Sequence, residues 1–122
     1  MKRLEEIARF CNDVNRCVAF YEAVLGVRPA SWQPGQTATF MLGRVKLFLH
    51  QRSEARDPAW PLQDEDHIAF AVEDVDGACK ELQSAGLTIE VGPRDFYWGR
   101  SAYLRDPDGR LVELHHGAPG GI

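Results

Sequence analysis

The chain has 122 residues, 44% apolar and 26% charged, with a formal net charge of −4. That size buries a core as one ordinary soluble domain. The acidic balance excludes bulk binding to nucleic acid or an anionic membrane, which needs a basic stripe, and no apolar run reaches the length of a membrane span.

In chain order, Ile7–Cys11 reads as a first strand. Asp13 is placed to cap a helix from Val14 to about Leu25, with Gly26 as its stop. Val14, Val18, Tyr21 and Leu25 recur at helical spacing and make one apolar stripe. A short strand is expected around Val27–Trp32, then a turn at Gln33-Pro34-Gly35. Strands at Thr37–Leu42 and Arg44–Gln51 follow, joined tightly at Gly43-Arg44. Residues 52–66 are polar, contain Pro58 and Pro61, and show no periodicity. They read as a linker, with Trp60 pinned to a surface.

The order then starts again. His67–Val72 is a strand, Val75–Ala85 a helix stopped by Gly86, and Leu87–Val91, Ser101–Arg105 and Arg110–His116 are strands. Asp106-Pro107-Asp108-Gly109 suits a type I turn between the last two. The tail after His116 should fray. Asp13-Val14 matches Asp74-Val75, and Val14, Val18 and Tyr21 match Val75, Cys79 and Leu82. The expectation is an α+β fold of two βαβββ modules within one domain spanning 1–122: module one about 4–51, module two 67–116. One helix covers only one face of each sheet, so the uncovered faces must meet something, and pairing them makes a cupped mixed sheet.

The start, MKRLEEIARF, has no signal-peptide apolar region. Cys11, Cys17 and Cys79 are odd in number and form no C-x-x-C, which excludes a zinc knuckle or thioredoxin motif. Reduced thiols in a cytoplasmic protein are the expectation. Nucleophile-elbow, dinucleotide and P-loop signatures are absent, so covalent and nucleotide chemistry are excluded as leading readings.

His67 opens the second module and Glu113 sits in its last strand, LVEL. If both face one concave surface, they form half of a metal site or a buried ion pair. His115 shares the face of Glu113 in a regular strand, whereas His116 points the other way to solvent. Val45, Leu47 and Leu49 alternate as an apolar face suited to packing on the helix, which turns Lys46, Phe48 and His50 the other way. His50 is either a strand-end side chain at the rim or a substitute ligand or acid–base group. Phe96-Tyr97-Trp98-Gly99-Arg100 is the most aromatic stretch, suited as a lid over a small anionic or partly apolar ligand. Arg94 and Arg100 are the candidates for anion recognition. The acidic residues of Asp106–Gly109 are turn chemistry and do not match a calcium loop.

The segments AFYEAVLG, HIAFAVEDV and LRDPDGRLVEL, within this repeat, resemble the vicinal oxygen chelate superfamily: glyoxalase I, extradiol dioxygenases, fosfomycin-resistance thiol transferases and bleomycin-binding proteins. The resemblance covers nearly the whole chain and is specific for fold more than for function. In its metal-dependent members the ligands come from the first and last strand of each module. It therefore implies metal ligands at His67 and Glu113, with Glu113 also catalytic, and at Glu6, where these families usually place histidine. Phe48 or Lys46 falls near the fourth position, with His50 one pleat further along. The fosfomycin-resistance branch also lacks a fourth protein ligand. The same resemblance places Ser101 and Tyr103 on the substrate-contacting face, and Lys46, Phe48, His50, Trp98 and Arg100 complete the expected substrate-binding set.

The implied cofactor is a divalent cation (zinc, nickel, manganese or iron), or none. The implied function is a metal-dependent enzyme on a small polar or anionic substrate, of lyase or isomerase (lactoylglutathione lyase-like), thiol-transferase or dioxygenase type. A metal-free sequestering protein of the bleomycin-resistance type is the alternative. A homodimer is expected from the exposed sheet edges and the aromatic segment.

Overall fold

The structure, a computed structural model, describes residues 2–53, 62 and 64–117. The chain divides into two compact units, Glu6–Asp66 and His67–Ile122 together with Met1–Glu5. The first carries β1 (Arg3–Cys11, whose first three residues belong to the second unit), α1 (Val14–Leu25), β2 (Ser31–Gln33), β3 (Thr37–Leu42) and β4 (Val45–Gln51). The second carries β5 (His67–Ala71), α2 (Val75–Ser84), β6 (Val91–Phe96), β7 (Gly99–Arg105) and β8 (Leu111–Gly117). Both are βαβββ modules, as the repeat predicts.

Strand order within the first module is β2-β3-β4-β1, and within the second β6-β7-β8-β5. In each, the first and last strands pair in parallel, Ala8 opposite Phe48 and Ala69 opposite Glu113, while the two remaining pairings are antiparallel. The parallel pair is possible because the helix supplies the crossover that such a pair requires.

Each module has its own core between sheet and helix. In the first, Val14 and Val18 of α1 pack on Ala38, Phe40, Leu47 and Leu49, with Tyr21 and Leu25 against the cluster. In the second, Val75, Ala78 and Cys79 of α2 pack on Ala102, Leu104 and Leu114, with Leu82 beside them. These are the two apolar stripes of the sequence, and the burial of Leu47 and Leu49 leaves Lys46, Phe48 and His50 on the other face of β4.

The helix ends follow from local chemistry. Asp13 accepts the Arg16 N–H at 3.2 Å and Asp74 the Gly77 N–H at 3.0 Å, both from extended backbone, as capping requires. Gly26 closes α1 in the left-handed region at φ 72°. Beyond α2, Gly86 N–H bonds Gln83 O and Leu87 N–H bonds Leu82 O, the paired bonds of a Schellman motif with glycine at the left-handed position. In the β7–β8 turn, Gly109 N–H bonds Asp106 O, and the Asp106 carboxylate accepts the N–H groups of Asp108 and Arg110.

Several strands differ from the sequence reading; β7, for one, starts at Gly99 and not at Ser101. β2 is Ser31–Gln33 rather than 27–32, because Pro29 has no N–H to give and pairing begins only with Ala30 N–H on Thr39 O. β6 is Val91–Phe96 rather than 87–91: its partner β7 first engages it at Glu90 N–H on Tyr103 O, and the ladder then runs through Gly92-Pro93 with a bulge. β1 is also longer at its start than expected. The expectations for Trp60 and the tail beyond Gly117 fall outside the described residues. Cys11 and Cys79 are buried and Cys17 half-buried, all as free thiols. No helix among the described residues is long and apolar enough to cross a membrane.

Candidate functional site

Strand parity builds the site on the face of the second module's sheet opposite α2. Ala102, Leu104 and Leu114 point to the helix, so Ser101, Tyr103, Glu113 and His115 point away from it. Register then aligns them: Ser101 lies opposite His115 and Tyr103 opposite Glu113, while His67 pairs with Leu111, two residues before Glu113.

His67 Nε2 lies 3.1 Å from Glu113 Oε1, with side chains only 11% and 5% exposed. Ser101 Oγ donates to the other carboxylate oxygen at 2.7 Å and lies 2.9 Å from His115 Nδ1. The Trp98 indole N–H reaches the same hydroxyl at 3.4 Å. Tyr103, itself buried, sets its ring edge-on to His67 at 5.9 Å. Burial alone pushes the Glu113 carboxyl toward protonation. Hydrogen bonds from His67 and Ser101, with the nearby imidazoles, outweigh it and hold the group below the usual carboxylate range.

The aromatic stretch is the tip of the β6–β7 hairpin. Phe96 ends β6 opposite Gly99, and Tyr97-Trp98 form the two-residue turn. Phe96 and Trp98 stack at 4.4 Å with rings 4° from parallel, Phe96 meets Tyr103 edge-on at 6.3 Å, and Tyr97 is 93% exposed. The Arg94 guanidinium sits 5.2 Å from the centre of the Phe96 ring. Trp98 thus borders the Ser101–Glu113 junction, and the Gly92-Pro93 step lies inside β6.

Arg100 does not join Ser101 and Tyr103. β7 starts at Gly99, so parity turns Arg100 to the helix side with Ala102. There it pairs with Asp76 of α2 at 2.8 Å and with Asp95 at 3.0 Å. Arg94, opposite Ser101 in the sheet, is the arginine on the site's face. His116 is exposed, as expected, and its Nδ1 bonds Val72 O.

In the first module, Glu6 lies half-buried on β1 opposite Lys46. His50 sits between aromatic rings, 5.2 Å from Phe10 and 6.0 Å from Phe48, with Nδ1 on Gln51 O. By register, Phe48 holds the place that Glu113 holds in the second module. What sequence reasoning missed is the junction at Ser101, although its signal was available: residues 113 and 115 share a face, and a strand ending at Arg105 runs antiparallel beside them.

Residues 3–114 match the family model for the Glyoxalase/Bleomycin resistance protein/Dioxygenase superfamily. The chain is 33% identical over 110 residues to the metallothiol transferase FosB of Shouchella clausii, covering 87% of this chain and 74% of that one. It is 32% identical over 122 residues to the glutathione transferase FosA of Serratia marcescens, covering 97% and 83%. A glyoxalase/bleomycin resistance protein/dioxygenase superfamily member from Vibrio splendidus superposes with a TM-score of 0.70 at 20% identity, covering 93% and 97%, which shows the fold alone. A family model spanning nearly the whole chain, two relatives above 30% identity and a shared fold together place this chain in the Glyoxalase/Bleomycin resistance protein/Dioxygenase superfamily.

Proposed function

We propose that this protein is a metal-dependent enzyme acting on a small polar or anionic substrate, of the thiol-transferase type. The observation that carries the reading is the nearly buried His67–Glu113 pair, 3.1 Å apart. One imidazole nitrogen and one carboxylate oxygen form the mixed donor set that suits zinc, nickel, manganese or iron. A divalent cation would take the place of the proton the two side chains share. Glu6, at the family's first-strand position in module one, is proposed as the third ligand, and Glu113 as the ligand with a catalytic part. The names of the FosB and FosA relatives favour thiol transfer over the lyase and dioxygenase alternatives.

A bound cation would supply Lewis-acid polarisation of a substrate oxygen. The rest falls to the chain's own side chains. Trp98 and Tyr103 offer an aromatic wall for the apolar part of a substrate. Arg94 takes the anion-recognising part that Arg100, committed to Asp76 and Asp95, does not. Lys46, Phe48 and His50 are proposed as the first module's contribution to substrate recognition. The homodimer is part of the same proposal.

Metal dependence is read from melting. Mn²⁺, Zn²⁺ or Ni²⁺ should raise the melting temperature of the wild type, because the site exists only in the folded chain. His67→Ala should abolish that rise, and Glu6→Gln should reduce it if Glu6 is a ligand. A wild type indifferent to all three ions would sink the enzyme reading and leave a metal-free sequestering module, for which the Phe96–Trp98–Tyr103 wall is the supporting feature.

A further inference from the structure

The Ser101 hydroxyl is fully buried and surrounded by three polar groups: Glu113 Oε2 at 2.7 Å, His115 Nδ1 at 2.9 Å and Trp98 Nε1 at 3.4 Å. A serine hydroxyl has one proton and two lone pairs. An ionised carboxylate can only accept, so the proton goes to Glu113. An indole nitrogen can only donate, so it takes one lone pair. His115 then has a single role left: its Nδ1–H donates to the remaining lone pair. The hydroxyl is saturated, and the proton count places a proton on His115 Nδ1.

The ring of His115 also has a place built for it. Gly99 lies at φ 132°, and a Cβ there would strike His116 O and approach His115 Cε1 to 2.9 Å. A Cβ on Gly117 would stand 3.3 Å from His115 Nε2. Glycines at the start of β7 and the end of β8 thus leave room for an imidazole that a side chain at position 99 would exclude.

We propose that Ser101 and His115 are positioning residues: His115, through the Ser101 hydroxyl, holds Glu113 Oε2 so that Oε1 is presented beside His67 Nε2 to the cation. This rests on the metal reading above. It also removes Ser101 from the substrate-binding set, because no hydrogen-bonding capacity of its hydroxyl is left for a ligand.

Two measurements test this. In metal-free protein with ¹⁵N-labelled histidine, NMR should show a proton on His115 Nδ1; a bare Nδ1 overturns the proposal. In titrations of the whole protein with Zn²⁺ and Mn²⁺, His115→Leu and Ser101→Ala should each weaken binding about 10- to 100-fold, the usual effect of losing a ligand's hydrogen-bonded support. His115→Asn keeps an N–H near the Nδ1 position and should restore most of that loss, which a merely space-filling role for the ring would not produce. Ser101→Ala barely changes volume, so it carries the test should His115→Leu not fold. Wild type that binds neither ion fails the metal reading and this inference together. Wild type that binds while both Ser101→Ala and His115→Leu bind equally well overturns this inference alone.

Discussion

The two modules share one backbone plan and differ in what they do with it. Taken by register, Thr37, Thr39, Phe48 and His50 in the first occupy the places of Ser101, Tyr103, Glu113 and His115 in the second. Both have a hydroxyl opposite a histidine on the face away from the helix. In the second, Glu113 gathers His67 and Ser101, and Ser101 gathers His115 and Trp98. In the first, Phe48 offers no acceptor, so His50 turns its Nδ1 to the neighbouring Gln51 carbonyl and lies among rings. One residue in a common frame, carboxylate or phenyl, separates a polar junction from an aromatic patch.

Removing that residue should break the comparison most. Glu113→Ala leaves the buried Ser101 hydroxyl and the His67 N–H without their acceptor and opens a cavity. It should cost about 3 kcal/mol in denaturant unfolding, whereas Phe48→Ala, at a half-buried position, should cost less. The pH dependence should separate the modules too. The folded-state pKa of Glu113 is depressed, so its stabilisation is present above the ordinary carboxylate pKa and is lost as pH falls through the depressed value. Unfolding followed from neutral to acid pH should show that loss in the wild type and a flatter profile in Glu113→Gln. Equal slopes would mean the carboxylate is not held as described.

A smaller contrast lies one strand over. Ser101→Ala strips Glu113 Oε2 of its donor and should cost about 1–3 kcal/mol. Thr37→Ala, at the equivalent half-buried position, should stay within about 0.5 kcal/mol. Thermal melts of the two variants side by side check this, and equal losses would undo the claim that the modules differ in kind.

The smallest effects should be the most alike. Asp13→Ala and Asp74→Ala each remove one capping bond of the same geometry and should each cost about 1 kcal/mol. A difference larger than that between the two would show that the modules are not equivalent at their helix starts.

Much of this is legible in the sequence, where short-range chemistry decides. Capping aspartates, stop glycines and apolar stripes act within a few residues, so both helices came out at their observed starts. Parity along β8 was enough to place Glu113 and His115 on one face and His116 on the other. The errors lie where a partner strand decides. A strand starting at Ser101 groups Arg100 with Trp98 and Ser101, whereas β7 starts at Gly99. With Gly99 and Arg100 inside the strand, the same parity rule sends the guanidinium to α2 and Asp76.

The repeat, the two helices and their caps, the burial of Leu47 and Leu49, and the candidacy of His67 and Glu113 can be read from the chain alone. Those follow from periodicity and local hydrogen bonding, which operate over one or two turns of chain. Only the tertiary structure decided which oxygen of Glu113 meets which partner, that the Ser101 hydroxyl is saturated, and that Phe48 answers to Glu113. These depend on the register of strands brought together from distant parts of the chain, and on the close approach that glycines at 99 and 117 allow around one imidazole.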